Sequence, residues 1–155
     1  MTADRKISVD RFVKQEGRRL PIHHRMIGPS FEGDERRSVE RITLDGEAFA
    51  QLGVLYLEVH IEARIVQPCD RCLTPVTSTV VIEEPFEVVI PPGVQTVDLW
   101  DPALHLVLSA QDPYVLCTPD CRGLCPTCGV DLNENPDHEC TSSDMERSTL
   151  GDHFQ

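Results

Sequence analysis

Seven cysteines carry the chemistry most open to this chain of 155 residues. They fall as Cys69-x2-Cys72, then Cys117-x3-Cys121-x3-Cys125-x2-Cys128-x11-Cys140, with His138 two residues before the last. A CxxC turn aims two thiolates at one ion while its backbone amides donate to the sulfurs. Two such turns supply the four sulfurs of a tetrahedral zinc site, with bonds of about 2.3 Å. In Cys125-Pro126-Thr127-Cys128-Gly129 the proline stiffens the turn, and Gly129 can take the positive φ that closes it. The cysteines and His138 make eight ligands, enough for two tetrahedral sets. One division is Cys69, Cys72, Cys117 and Cys121 around one ion, and Cys125, Cys128, His138 and Cys140 around another. A single ion held by Cys69, Cys72, Cys125 and Cys128 satisfies the spacing equally well. With one zinc or two, four protein ligands leave no open position for substrate, so the metal is expected to be structural.

Competing chemistries fit less well. An odd number of cysteines cannot all pair as disulfides. Met1 to Val13 has no apolar core, which predicts no secretory signal. No apolar run approaches the roughly 18 residues of a membrane-spanning helix. A cytoplasmic, reducing location follows, where clustered cysteines serve as metal ligands or redox thiols. A thioredoxin-like CxxC sits at a helix N-terminus, whereas Pro75 and a following strand leave no room for a helix after Cys72. The spacing matches no ferredoxin run. Neither a P-loop, nor HExxH, GxSxG or GxGxxG occurs. His23 and His24 read as surface imidazoles, His60 and His105 as structural ones, and Glu83, Glu84 and Glu87 as a solvated face. The chain is expected not to be an enzyme. Thiol-redox or metal-handling work by the CxxC pairs is the alternative reading.

The elements that position the cysteines follow from periodicity. Leu57, Val59, Ile61, Ala63 and Ile65 alternate with Glu58, His60, Glu62, Arg64 and Val66 within Val54 to Gln67, the mark of a half-buried strand. A second strand runs from Val76 to Ile90, interrupted at Pro85. The two form an antiparallel hairpin whose tip carries Cys69 and Cys72. Before it, Ile7 and Val9 suit a short strand, 28–37 a loop and Val39 to Leu44 a strand. Asp45-Gly46 reads as a turn and Glu47 to Leu52 as a helical turn. After it, Val97 to Leu99 is apolar, and Asp101-Pro102 opens a helix with Asp101 as N-cap and Leu104, Val107 and Leu108 inward. Beyond Pro113 periodicity disappears. The expected fold is α+β: a β-rich antiparallel domain with one or two short helices and a cysteine-rich zinc-binding C-terminal segment. The divisions are an N-terminal arm with a short strand (1–41), a β-rich core (42–113), a cysteine-rich segment packed on it (114–140) and a disordered tail (141–155).

Charge is unevenly placed. The net charge of −12 combines +3 over residues 1–41 with −15 over residues 42–155. The acidic body suits a basic partner, and the arm, through Arg18, Arg19, Arg25, Arg36 and Arg37, could touch phosphate.

Cys69-Asp70-Arg71-Cys72-Leu73 resembles the CxRCL motif of the YceD family. Cys117-Thr118-Pro119-Asp120-Cys121-Arg122-Gly123-Leu124-Cys125-Pro126-Thr127-Cys128-Gly129-Val130-Asp131-Leu132-Asn133 resembles its C-terminal signature, a C-x3-C-[KR]-G-L-C-P-x-C-G run ending in Leu-Asn. The likeness spans roughly residues 50–140; the family's Leu-Pro pair after the helix and its basic C-terminal end are replaced here. The resemblance implies a bacterial or plastid factor of ribosome biogenesis that supports accumulation of large-subunit ribosomal RNA, without established enzymatic activity. Its partners would be that RNA or a basic ribosomal protein. It also implies that Cys69, Cys72, Cys117 and Cys121 form the more general ligand group, and that the second cluster is an elaboration.

Overall fold

A computed structural model describes residues 5–28, 30–31 and 34–140. The alternation after Val54 becomes a single long strand, β5 (Val54–Pro68), with every odd residue from Leu55 to Gln67 buried. On one side it pairs with β4 (Asp34–Gln51), an antiparallel strand of 18 residues. On its other side lie β6 (Pro75–Ile82), against 61–68, and β7 (Phe86–Val89), against 54–57. β2 (Leu20–Ile27) and β3 (Ser30–Phe31) pair with β4, which completes a six-stranded antiparallel sheet. β1 (Lys6–Ser8) and β8 (Thr96–Asp98) form a separate two-stranded ribbon. The helices are α1 (Asp10–Lys14) and α2 (Trp100–Ala110). No helix among the described residues is long and apolar enough to cross a membrane.

The core lies between one sheet face and the helices. Ile42, Leu44, Ala48 and Ala50 of β4 share it with Ala63, Ile61, Leu57 and Leu55 opposite them. Phe12 of α1 and Trp100, Ala103 and Val107 of α2 cover them. Val39 and Ile42 both point inward despite opposite parity, because a register shift between Val39 and Arg41 inserts one residue. The outer face carries the ion pairs Arg64–Glu40 and Arg41–Glu62, with His23 beside Asp45 and His60 beside Glu83.

Several sequence-based expectations are corrected here. The described residues before 42 do not form a separate arm: β2 is a strand of the main sheet, and the division at 41/42 falls inside β4. Asp45-Gly46 is not a turn, nor is 47–52 helical; β4 runs through Asp45-Gly46 and on to Gln51. Gly46 serves close approach, since a Cβ there would lie 2.4 Å from the Glu58 carbonyl oxygen. The actual turn is Leu52-Gly53, with φ of 51° and 77° between the paired Gln51 and Val54, the positive-φ pair of a two-residue hairpin. Helix α2 begins one residue before the expected cap. Asp98 accepts the Trp100 N–H at 2.7 Å, and Pro102 sits in the first turn, where its missing N–H leaves nothing unpaired. The buried face is Trp100, Ala103 and Val107, while Leu108 is exposed. The tail 141–155 lies outside the described residues.

Two substitutions test this register. Gly46→Ala is expected to destabilise the chain by about 1–3 kcal/mol in urea unfolding, because the clashing atom belongs to the backbone. Leu52→Asn is expected to stabilise it by about 1 kcal/mol, since Leu52 is exposed and asparagine tolerates positive φ.

Candidate metal centres

The turn between β5 and β6 is built to present sulfur. Cys69 N–H donates to the Thr74 carbonyl at 2.8 Å and Leu73 N–H to the Cys69 carbonyl at 3.0 Å, with Leu73 at a φ of 64°. This compact loop turns Cys69 and Cys72 inward, both buried. The segment after α2 returns to the same tip. Asp70 N–H donates to the Val115 carbonyl at 2.8 Å, and Val115 N–H to Asp70 Oδ2 at 2.6 Å. The buried Gln67 donates to the Asp112 carbonyl at 3.2 Å. Arg71 Nη1 donates to the Cys121 carbonyl at 2.8 Å. These contacts deliver Cys117 and Cys121 to the hairpin tip.

The ligand atoms of Cys69, Cys72, Cys117 and Cys121 all lie within 4.8 Å of one another. Cys69 Sγ is 3.7 Å from Cys121 Sγ, and Cys72 Sγ is 3.5 Å from Cys117 Sγ. A tetrahedral metal with bonds of about 2.3 Å separates its sulfurs by roughly 3.8 Å, so the donor set fits such an ion. These are not disulfide distances, and all seven cysteines are free. The Arg71 N–H faces Cys69 Sγ at 3.5 Å, Asn133 Nδ2 faces Cys121 Sγ at 3.4 Å, and Thr74 Oγ1 lies 3.2 Å from Cys72 Sγ.

Cys125, Cys128, His138 and Cys140 form a second group of the same tightness. Its turn is closed by Gly129 N–H to the Cys125 carbonyl at 2.9 Å, with Gly129 at a φ of 76°. Cys125 N–H donates to the Val130 carbonyl at 2.8 Å. His138 Nε2 lies 3.2 Å from Cys128 Sγ. The two centres differ in cover. Cys69 and Cys121 are buried almost completely, whereas Cys128 is exposed and His138 and Cys140 are half-buried.

Each group combines a low and a high thiol. Burial pushes the Cys69 thiol up, but the backbone N–H groups of Cys72, Arg71 and Cys117 outweigh it and bring it to about 6. The neighbouring Cys72 side chain and burial push Cys117 up to about 12. Backbone N–H groups of Cys128 and Thr127 hold Cys125 at about 6 against burial. Burial, with Cys128 and Cys125 beside it, raises Cys140. Four sulfurs this close cannot all ionise alone, so protons remain among them until a cation takes their place.

The structure therefore collects all eight expected ligands into two groups that could each hold a metal ion. The alternative single set of Cys69, Cys72, Cys125 and Cys128 is not assembled, because its members are divided between the two. Sequence reading missed the supporting residues. Asp70, Arg71, Thr74 and Asn133 fall inside the recognised motifs, but their roles depend on what faces them. Gln67 gave its only signal as an inward polar residue in an apolar row.

The five arginines do not gather into one patch. Arg19 pairs with Glu58, also reaches Glu47 at 3.9 Å, and its guanidinium stacks 5.3 Å over the Phe49 ring. Arg18 donates to Gln15. Arg25 is exposed in mid β2. Arg36 and Arg37 lie near the start of β4, about 40 Å of extended strand from Phe49.

Uncharacterized proteins of Mycobacterium bovis and of two strains of Mycobacterium tuberculosis are each 27% identical to this chain over 156 residues, covering 85% of it and 72% of the relative. No family model matches the chain. No solved structure matches it either.

The unequal cover predicts unequal lability. Challenge of the metal-loaded chain with a chromogenic chelator is expected to release metal in two phases, the exposed Cys128 group first. Cys128→Ser is expected to abolish the fast phase and leave the slow one. Complete chelation is expected to speed amide hydrogen exchange after Pro113 while sparing β5 above its tip.

Proposed function

We propose that this chain is a non-enzymatic, cytoplasmic ribosome-assembly factor that supports accumulation of large-subunit ribosomal RNA and carries two structural zinc ions. One observation carries the reading: six of the eight ligands that close into two four-ligand groups lie in the stretches that resemble the YceD motifs. The CxRCL-like stretch supplies half of the first group, and the C-terminal signature supplies the other half and begins the second. Cysteine and imidazole donors suit zinc, and four protein ligands fill its tetrahedron. Zinc in such sites adds folding free energy rather than an open reaction position. Its work here would be to weld the cysteine-rich segment to the hairpin tip.

A basic ribosomal protein is the partner favoured over ribosomal RNA. Arg19 is engaged by acids, Arg18 lies before β2, and Arg25, Arg36 and Arg37 are divided between β2 and β4. The acidic balance of residues 42–155 also opposes phosphate. The alternative reading, metal handling, draws on the exposure of Cys128 beside His138.

Metal analysis of the purified chain is expected to give two zinc ions per chain, with few reactive thiols before chelation. Seven reactive thiols and no metal would sink the zinc reading. Depletion in the host organism is expected to lower large-subunit ribosomal RNA relative to small-subunit RNA, and unchanged RNA ratios would overturn the assembly role. Pull-down after nuclease is expected to retain a basic ribosomal protein. Its loss on nuclease treatment, with RNA capture abolished by alanine at the five arginines, would point to RNA instead.

A further inference from the structure

The main sheet ends on β6, and that end is unguarded. β6 pairs with β5 along one side only, from Ile82 opposite Ile61 to Pro75 opposite Pro68. In an antiparallel ladder alternate residues direct both backbone groups to the same neighbour. The remaining N–H and C=O groups of β6 therefore face outward, and no other described backbone group bonds them. Edge strands are normally protected by charge, proline, bulges, shortness or a covering helix or loop, and the segment nearest β6, residues 110–116, stands across a groove from 78–81. β2, at the opposite edge, carries Pro21, His23, His24 and Arg25, and β7 is four residues long with Glu87. β6 has its proline only at its first residue, Pro75 at the hairpin tip, and then reads Val-Thr-Ser-Thr-Val-Val-Ile, seven residues without charge, proline or bulge and rich in β-branched side chains.

Beside this edge runs a groove of about 510 Å³, with 78–81 as one wall and Asp112 and Tyr114 in the other. That second wall is held in place by the bonds from Gln67 to the Asp112 carbonyl and between Asp70 and Val115. Val81 and Tyr114 are more than half exposed. We propose that the free edge of β6 accepts an extended, basic polypeptide segment as an added strand, its alternate side chains resting in this groove. Charge selects the occupant. A second copy of the chain would bring one net charge of −12 against another. Asp112 in the groove and the exposed Glu83 and Glu84 just past β6 outnumber Arg71, whose side chain bonds Tyr114, and favour lysine and arginine. RNA offers no peptide ladder to match the edge and is repelled by the same acids. The proposal deepens the ribosomal reading by naming the chemistry of its protein partner. Its test runs on purified protein, so its outcome is independent of ribosomal RNA levels.

The test uses the full metal-loaded chain and three short labelled peptides: one alternating lysine and valine, the same peptide N-methylated at alternate amides, and one alternating glutamate and valine. The protein variant is Thr77→Lys with Val81→Lys, two exposed positions opposite Val66 and Glu62, its fold checked by circular dichroism and metal content. The lysine–valine peptide is expected to bind and to slow amide hydrogen exchange in β6. N-methylation and the double-lysine variant are each expected to weaken binding by about tenfold or more, and the glutamate peptide is expected not to bind. Absence of binding, equal binding of the N-methylated peptide, or protection confined to other strands would overturn the proposal. Sedimentation showing a dimer that the double-lysine variant dissociates would overturn it in favour of a second copy. Displacement of the peptide by an oligoribonucleotide that itself protects β6 would overturn it in favour of RNA.

Discussion

Four sulfur atoms sharing one small volume impose the constraint on which the rest of the structure depends. Two come from a hairpin tip and two from a segment 45 to 52 residues later in the chain. Their mutual approach to within 4.8 Å is untenable for four free thiolates, because like charges this close suppress one another's ionisation. Protons or a cation must therefore sit among them. The Cys72 side chain and burial hold Cys117 protonated, while backbone N–H groups of Cys72, Arg71 and Cys117 favour the Cys69 thiolate. A metal exchanges those protons for bonds and turns a crowded cluster into a cross-link between distant parts of the chain.

The cross-link needs a rigid platform, and β5 supplies it. This strand is paired along most of one side by β4 and over both halves of the other by β6 and β7. Its inward parity runs without interruption from Leu55 to Gln67, and Cys69 continues it as a buried side chain. The apolar core and the first sulfur group are thus successive positions on one strand face. Gln67 marks the change from one to the other, spending its amide on the Asp112 carbonyl of the returning segment. The second sulfur group has no such platform. It rests on its own turn, on Gly129, and on a short bridge between Leu124 and Asp131, which accounts for its greater exposure.

What was legible in the sequence was local. The alternation of β5, the hairpin with Cys69 and Cys72 at its tip, and the knuckle at Cys125 to Gly129 all depend on residues a few positions apart. The misreadings arose where a local signal lost to a distant contact. Asp45-Gly46 carries strong turn chemistry, yet the glycine is spent on the approach of the Glu58 carbonyl. Leu52-Gly53 carries weak turn chemistry, yet it makes the hairpin because β4 and β5 are long enough to enforce it. Asp101 was the plausible cap by position, but Asp98 sits where the first helical N–H points.

The sequence by itself determined which atoms are available: eight soft or imidazole donors in CxxC-type turns, a period-two strand to carry two of them, and an acidic body behind a mildly basic start. Spacing along a chain constrains only ligands within one turn, so it left open whether Cys72 shares an ion with Cys117 or with Cys125. Tertiary structure decided that pairing, because the segment after α2 is bonded back to Asp70 and Gln67 before the next turn begins. It also decided that β2, within the basic start, joins the main sheet, where its ladder lies against β4. The unguarded edge of β6 belongs to the same class of fact. Which strand ends a sheet is a property of pairing between distant segments, and local sequence does not carry it.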